Sequence, residues 1–258
     1  IALLYLVIVL AGFDLPFPRL TGKFLVPALV AALMQIAGTV FLIQLFRLRN
    51  FAIGSTFVRT EAIIVAVLGS VVFSESIDLW GWLAIVISVT GVVLISVVRS
   101  TTRRTSLLGS IFNASAGVGL LAGFGFALAS FFIRQASLSF ADDNFVYTAA
   151  VTFIVVIGLQ TLVLGLFIGL FERREFRKLL GVWRPSLFVG VTSAIGSIGW
   201  FTAMTIQRVS FVKALAQIEF VFALFVAILV FKEHPTRVEI LGMVLIAIGI
   251  VVLLLFAR

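Results

Sequence analysis

Glu61 and Glu219 each stand inside a long apolar run of this chain. Counted from run starts near 51 and 210, each lies about ten residues in. At about 1.5 Å rise per residue that is roughly 14–15 Å deep, near the middle of a bilayer's hydrocarbon. A carboxylate there is costly unless it is paired or hydrated. Loss of water favours the protonated form of a carboxyl, so such an acid can take up and release a proton. Glu61 and Glu219 are therefore candidates for proton or cation coupling. The structural alternative is a protonated or salt-bridged acid that ties helices together. Arg59 lies two residues from Glu61, about 200° around a helix and so on another face. Ser55 and Arg59, four apart, form a polar stripe, and Lys213 and Gln217 form its counterpart beside Glu219. Arg59 suits an anionic substrate group, or an ion pair with a neighbouring helix. Lys213, one turn from the end of its run, can snorkel to the interface.

Weaker polar signals are Gln35, Gln44, Gln160, Asn113, Ser193, Ser197 and Trp200. These residues line a cavity or hydrogen-bond between helices. Gln35, Ser197 and Trp200 join Ser55, Arg59 and Gln217 as the expected substrate-binding set. Glu75 and Glu233 each close an apolar run and read as charged stops that complement the N-terminus of the next helix. His234 reads as a loop residue. With no cysteine and a single histidine, the chain offers no thiolate site, disulfide or multi-histidine metal site. It has no phosphate-binding glycine loop, nucleophile elbow or H-E-x-x-H helix. The expectation is no enzyme, no cofactor and no metal.

The elements that must position these residues are helices in lipid. Of 258 residues, 62% are hydrophobic and 12% charged, about half the charge fraction of a soluble domain, and the mean hydropathy is +1.27. The net charge of +8 comes mostly from links between apolar runs, where Lys and Arg gather in membrane proteins, so it does not call for nucleic acid. Runs long enough to span cover 22–46, 51–73, 79–98, 107–137, 144–171, 186–206, 210–231 and 238–256, and none alternates as a membrane strand would. Residues 1–12 are apolar but too short to span. Pro27 and Pro185 fall near helix starts, Asp78 is placed to cap the helix from Leu79, and Trp80, Trp82 and Trp183 mark interfaces.

The chain also repeats itself. A shift of 158 residues lays Pro27 on Pro185, Gly38 on Gly196, Glu61 on Glu219, Phe73 on Phe231, Glu75 on Glu233 and Gly91 on Gly249. Residues 1–98 form a first, N-terminally truncated repeat and 107–258 a second. The equivalent of the 107–137 span would precede Ile1. The expected fold is thus all-α and integral to the membrane, with ten helices as five plus five and the first absent from this chain. Five is odd, so the second half enters from the opposite side as an inverted repeat.

The repeated units RNFAIGSTFVRTEAIIVAVLGSVVFSE and QRVSFVKALAQIEFVFALFVAILVFKE, followed by WGWLAIVISVTGVVLI and EILGMVLIAIGIVVLLL, resemble the drug/metabolite transporter superfamily, EamA-type. Many members of that superfamily have Pro after the mid-membrane polar position, whereas this chain has Ala62 and Phe220. The resemblance implies a central cavity lined by 22–46, 51–73, 186–206 and 210–231, alternating access and no ATP hydrolysis. The expected function is secondary transport of a small metabolite or drug, as an exporter with proton coupling, in a multi-pass protein of the cell (inner or plasma) membrane. Its partners are a small-molecule substrate and the lipid bilayer. A membrane scaffold or assembly subunit that transports nothing is the alternative. For orientation, the links after 22–46, 79–98, 144–171 and 210–231 hold twelve Lys and Arg, and the opposite links hold five: Arg19, Lys23, Arg134, Arg208 and Arg258. The positive-inside rule puts the 172–184 link in the cytoplasm; the resemblance instead implies cytoplasmic termini.

Overall fold

The computed structural model describes residues 2–13, 17–47, 61–100, 114–140, 144–172, 181–229, 232 and 236–256. Among them are ten helices: α1 (Ala2–Phe13), α2 (Gly22–Arg47), α3 (Glu61–Val71), α4 (Leu79–Ser100), α5 (Ala114–Leu138), α6 (Phe145–Phe171), α7 (Trp183–Ile206), α8 (Val209–Leu215), α9 (Ile218–Leu229) and α10 (Arg237–Phe256). The described residues contain no strand. Among the described residues, five helices are long and apolar enough to cross a membrane: α2, α5 from Gly117, α6, α7 and α10. A backbone in hydrocarbon must satisfy every N–H and C=O internally, and a helix does this within one segment. Polar side chains follow the same rule. Thr152, Thr161 and Thr202 each donate to the carbonyl four residues back.

Capping agrees with the sequence at Asp78, whose Oδ1 accepts from Gly81 N at 2.9 Å. Asn144 likewise accepts from Tyr147 N at 3.1 Å. At α10, Thr236 and Glu239 form a reciprocal capping box: Thr236 N donates to Glu239 Oε2 at 2.8 Å and Glu239 N to Thr236 Oγ1 at 3.3 Å. This satisfies the buried Glu239. Pro185 falls in the first turn of α7 as expected. Pro27 does not: it lies in the second turn of α2, which continues unbroken around it.

The chain forms two compact units, each drawing on both halves of the sequence. One comprises 1–36 and 129–207. Here Phe153 of α6 packs edge-on against Tyr5 of α1 and Phe201 of α7, with ring centroids 6.4 and 5.3 Å away. Arg134 of α5 donates to the carbonyls of Met204, Thr205 and Gln207. It thereby occupies orphan acceptors at the C-terminal end of α7, where a cation is favoured. Beside it, the hydroxyls of Ser137 and Thr205 share a hydrogen bond of 2.7 Å.

The other unit comprises 37–128 and 208–258. Its most extensive contact joins α4 to α10. A Cβ on Gly91 would stand 2.5 Å from Gly242 O and 3.0 Å from Ile246 N; one on Gly249 would stand 2.8 Å from Ala84 O and 2.9 Å from Ser88 N. Both glycines therefore touch bare backbone. The 158-residue shift exchanges the two sides of the contact: 91 with 249, 84 with 242, 88 with 246. Because 91 meets 242 while 84 meets 249, the helices run antiparallel. The same shift relates Ser74 to Lys232, and both hold φ of 53°, a left-handed conformation that costs an L-residue about 1–2 kcal/mol. It also relates the N-caps Asp78 and Thr236. Ala62 and Ala66 of α3, Ala84, Ile85 and Val89 of α4, Phe211 and Ala214 of α8 and Leu253 of α10 fill the core of this unit.

The run 210–231, expected as one span, is broken. Ala216 and Gln217 form a turn between α8 and α9. Gln217 N donates to Ala214 O and Glu219 N to Ala216 O, three-residue bonds of a tightened turn. The freed Lys213 carbonyl takes the Gln217 side-chain amide instead, at 3.3 Å. A glutamine thus sustains the break without proline.

The glycine contact has a measurable consequence. Gly249→Ala and Gly91→Ala must push α4 and α10 apart, and each should lower stability by about 1–3 kcal/mol, the scale of an overpacked core. Gly165→Ala, where a new Cβ meets nothing within 4 Å, should be neutral or stabilising. Thermal unfolding of the purified protein in one detergent compares the three; equal midpoints would refute the close contact.

Candidate functional site

Glu61 opens the described part of α3, and Lys213 lies in the last turn of α8. Lys213 Nζ stands 2.7 Å from Glu61 Oε1, with the side chains 15% and 18% exposed. Oε1 has no well-aligned hydrogen bond, so this contact is chiefly charge on charge. Lys213 is therefore not snorkelling to the interface: it neutralises the acid that the sequence singled out. No motif could have paired residues 152 positions apart. The base stands in the last turn of α8, where a cation is favoured.

Gln217 stands one turn beyond Lys213. It is 8% exposed, and its Oε1 has no partner among the described residues. An unpaired buried carbonyl costs roughly 1–3 kcal/mol, so this oxygen marks a place where a donor belongs. Glu219 follows two residues later, exposed in the first turn of α9. The broken helix thus carries a base, an open acceptor and an acid within seven residues, and Glu61 closes the group from α3.

A clip of main-chain bonds sets the register of α8. Glu75 Oε1 accepts from Val209 N at 2.9 Å, and its Oε2 from Ser210 N at 3.3 Å and Ser210 Oγ at 2.7 Å. The helix that Glu75 complements is therefore α8 and not α4, the next along the chain. From the other side, Arg208 donates to Ser76 O and covers the Phe211 ring at 5.4 Å. A charged residue after an apolar run was legible in the sequence; its target was not.

The remaining expected residues are placed as follows. Ser55 and Arg59 lie outside the described residues, as do Asn113, Glu233 and His234. Gln35, Ser197 and Trp200 belong to the other compact unit. Gln35 Oε1 accepts from Gln160 Nε2 at 2.9 Å, a bond between α2 and α6, while Ser197 and Trp200 lie half-buried on α7. Among the described residues, no three of His, Cys, Asp and Glu are gathered as metal ligands would be.

The ion pair lends itself to a double-mutant cycle. Lys213→Met leaves Glu61 without its counter-charge and should cost about 1–3 kcal/mol, between the values of exposed and buried pairs. Adding Glu61→Gln to that variant should recover part of the loss. Strictly additive losses in thermal unfolding would show that the two groups do not interact.

Compared with known families, residues 114–255, more than half the chain, match the model of the EamA-like transporter family. No curated protein matches the chain.

Proposed function

Because this chain belongs to the EamA-like transporter family, within the drug/metabolite transporter superfamily, we propose that it is a secondary transporter of a small metabolite or drug. It works as an exporter by alternating access, with proton coupling, in the cell membrane. The observation that carries this reading is the cluster of Glu61, Lys213 and Gln217 at the break between α8 and α9. Broken helices in transporters place polar backbone and side chains where substrate and coupling ions bind. Three functions suit the three groups. Glu61 carries the coupling proton: when it takes one, the charge holding Lys213 is lost. Lys213, so released, can receive another partner. Gln217 Oε1 accepts a donor from the substrate.

The reciprocal α4–α10 contact supports an inverted repeat, since antiparallel helices exchanged by the repeat imply a local two-fold axis across them. Two five-helix halves with the first helix absent from this chain remain the arrangement we propose. Arg59, with Ser55, would supply the corresponding polar group in the first half and meet an anionic part of the substrate. Gln35, Ser197 and Trp200 would contribute further substrate contacts.

In proteoliposomes, Glu61→Gln should flatten the dependence of transport on pH while the protein stays folded, and Glu219→Gln should do the same. Wild-type pH dependence in both would overturn proton coupling through these acids. Absence of any transport by the wild type across a metabolite panel would favour the scaffold alternative. Arg59→Met should weaken carboxylate or phosphate substrates more than cations.

Orientation follows the charge count in this proposal, with the 172–184 link in the cytoplasm. A cysteine at Ser186, exposed near the start of α7, is easily read out in a cysteine-free chain. On intact cells it should resist an impermeant thiol reagent while a C-terminal cysteine is labelled. The reverse pattern would place both termini inside.

A further inference from the structure

Asp78, Trp80, Leu255 and Phe256 line a cavity of about 350 Å³ where α4 begins and α10 ends, within the size range of about 300–1,000 Å³ typical of small-ligand sites. Its groups are of three kinds. Asp78 supplies a carboxylate, of which Oδ1 accepts from Gly81 N; Oδ2 has no partner among the described residues. Trp80 and Phe256 supply ring surface. Their centroids are 5.2 Å apart at a tilt of 33°, and both residues are about half exposed. Leu255, 70% exposed, supplies an apolar wall. Among the residues that line the cavity, Asp78 carries the one formal charge.

A carboxylate beside aromatic faces selects a cation, and aromatic rings favour alkylammonium groups whose methylenes lie against them. Metal ions fit poorly, since Asp78 is the one carboxylate among the lining residues, short of the roughly six to eight oxygens that a hard cation such as Ca²⁺ takes. The source of the ammonium follows from position. Trp80 is the second residue of an apolar helix, where indoles mark the membrane interface, and the exposed Leu255 offers apolar surface at the same end. A ligand with an ammonium head and an acyl body meets both.

We propose that this cavity is a phospholipid site that holds the ammonium of an ethanolamine headgroup between Asp78 and the Trp80–Phe256 ring pair. It shares no lining residue with the Glu61–Lys213 cluster, so its test does not depend on the transport reading.

The test uses the purified full chain in detergent and measures binding of short-chain phosphatidylethanolamine against phosphatidylglycerol of the same chain length. The wild type should prefer phosphatidylethanolamine. Asp78→Asn is the informative variant, because asparagine caps a helix as well as aspartate yet carries no charge. It should weaken phosphatidylethanolamine about tenfold and leave phosphatidylglycerol unchanged or improved, the scale of one charge-assisted contact. Trp80→Leu should weaken it too, with the capping bond intact. Unchanged preference in both variants would overturn the site. Free ethanolamine that competes at the same concentration as the lipid would overturn the lipid source and assign the cavity to a soluble amine.

Discussion

Two bare stretches of backbone, at Gly91 on α4 and Gly249 on α10, let these helices approach until each glycine touches the other's carbonyl or amide. In lipid, apolar side chains gain little by leaving the solvent, so helices associate through close contact and polar bonds. The α4–α10 contact supplies the first. It fixes two long helices, and the shorter α3 and α8 then pack on its flank through Ala62, Ala66, Phe211 and Ala214. Small alanines at α3 and α8 keep those elements close enough for a lysine on one to reach a glutamate on the other. The charged cluster is thus a consequence of backbone proximity two helices away.

Polar groups in this unit divide into those that are satisfied locally and those that are not. Glu239 and Glu75 spend their oxygens on helix starts, so these acids are structural, whereas Asp78 commits only Oδ1 to its cap. Among the described residues, Glu61 has instead the Lys213 ammonium at 2.7 Å, and Gln217 Oε1 has no donor. That difference, and not acidity alone, separates candidate functional residues from caps. It also explains why Glu75, which resembles Glu61 in sequence as an acid repeated in both halves, has a different role.

Much of the architecture was legible in the chain. Apolar runs gave helices and the approximate ends of several, because lipid permits little else. The 158-residue shift matched two glycine pairs: Gly91 and Gly249 proved to make the α4–α10 approach, whereas Gly38 meets Phe126 and a Cβ on Gly196 would meet nothing within 4 Å. Legibility failed where a bond crosses between elements. Lys213 looked like an interfacial lysine because its run alone says nothing about α3. The 210–231 run looked continuous because it holds neither proline nor glycine, and the break depends on one glutamine side chain replacing a main-chain bond. The target of Glu75 was hidden for the same reason: a carboxylate advertises its charge but not which amides it will meet.

Arg134 shows that a cation counted in a link can have its donors committed within the fold. During insertion it counts as one more cation at a helix end. In the finished fold its guanidinium is wrapped by the carbonyls of Met204, Thr205 and Gln207, and Arg208 is similarly engaged by Ser76. Both are among the five cations of the less basic links. Each keeps its charge but spends donor hydrogens on main-chain carbonyls, which leaves fewer for the phosphate oxygens of a headgroup. A residue that counts fully when links are tallied is therefore a weaker anchor for anionic lipid in the finished fold.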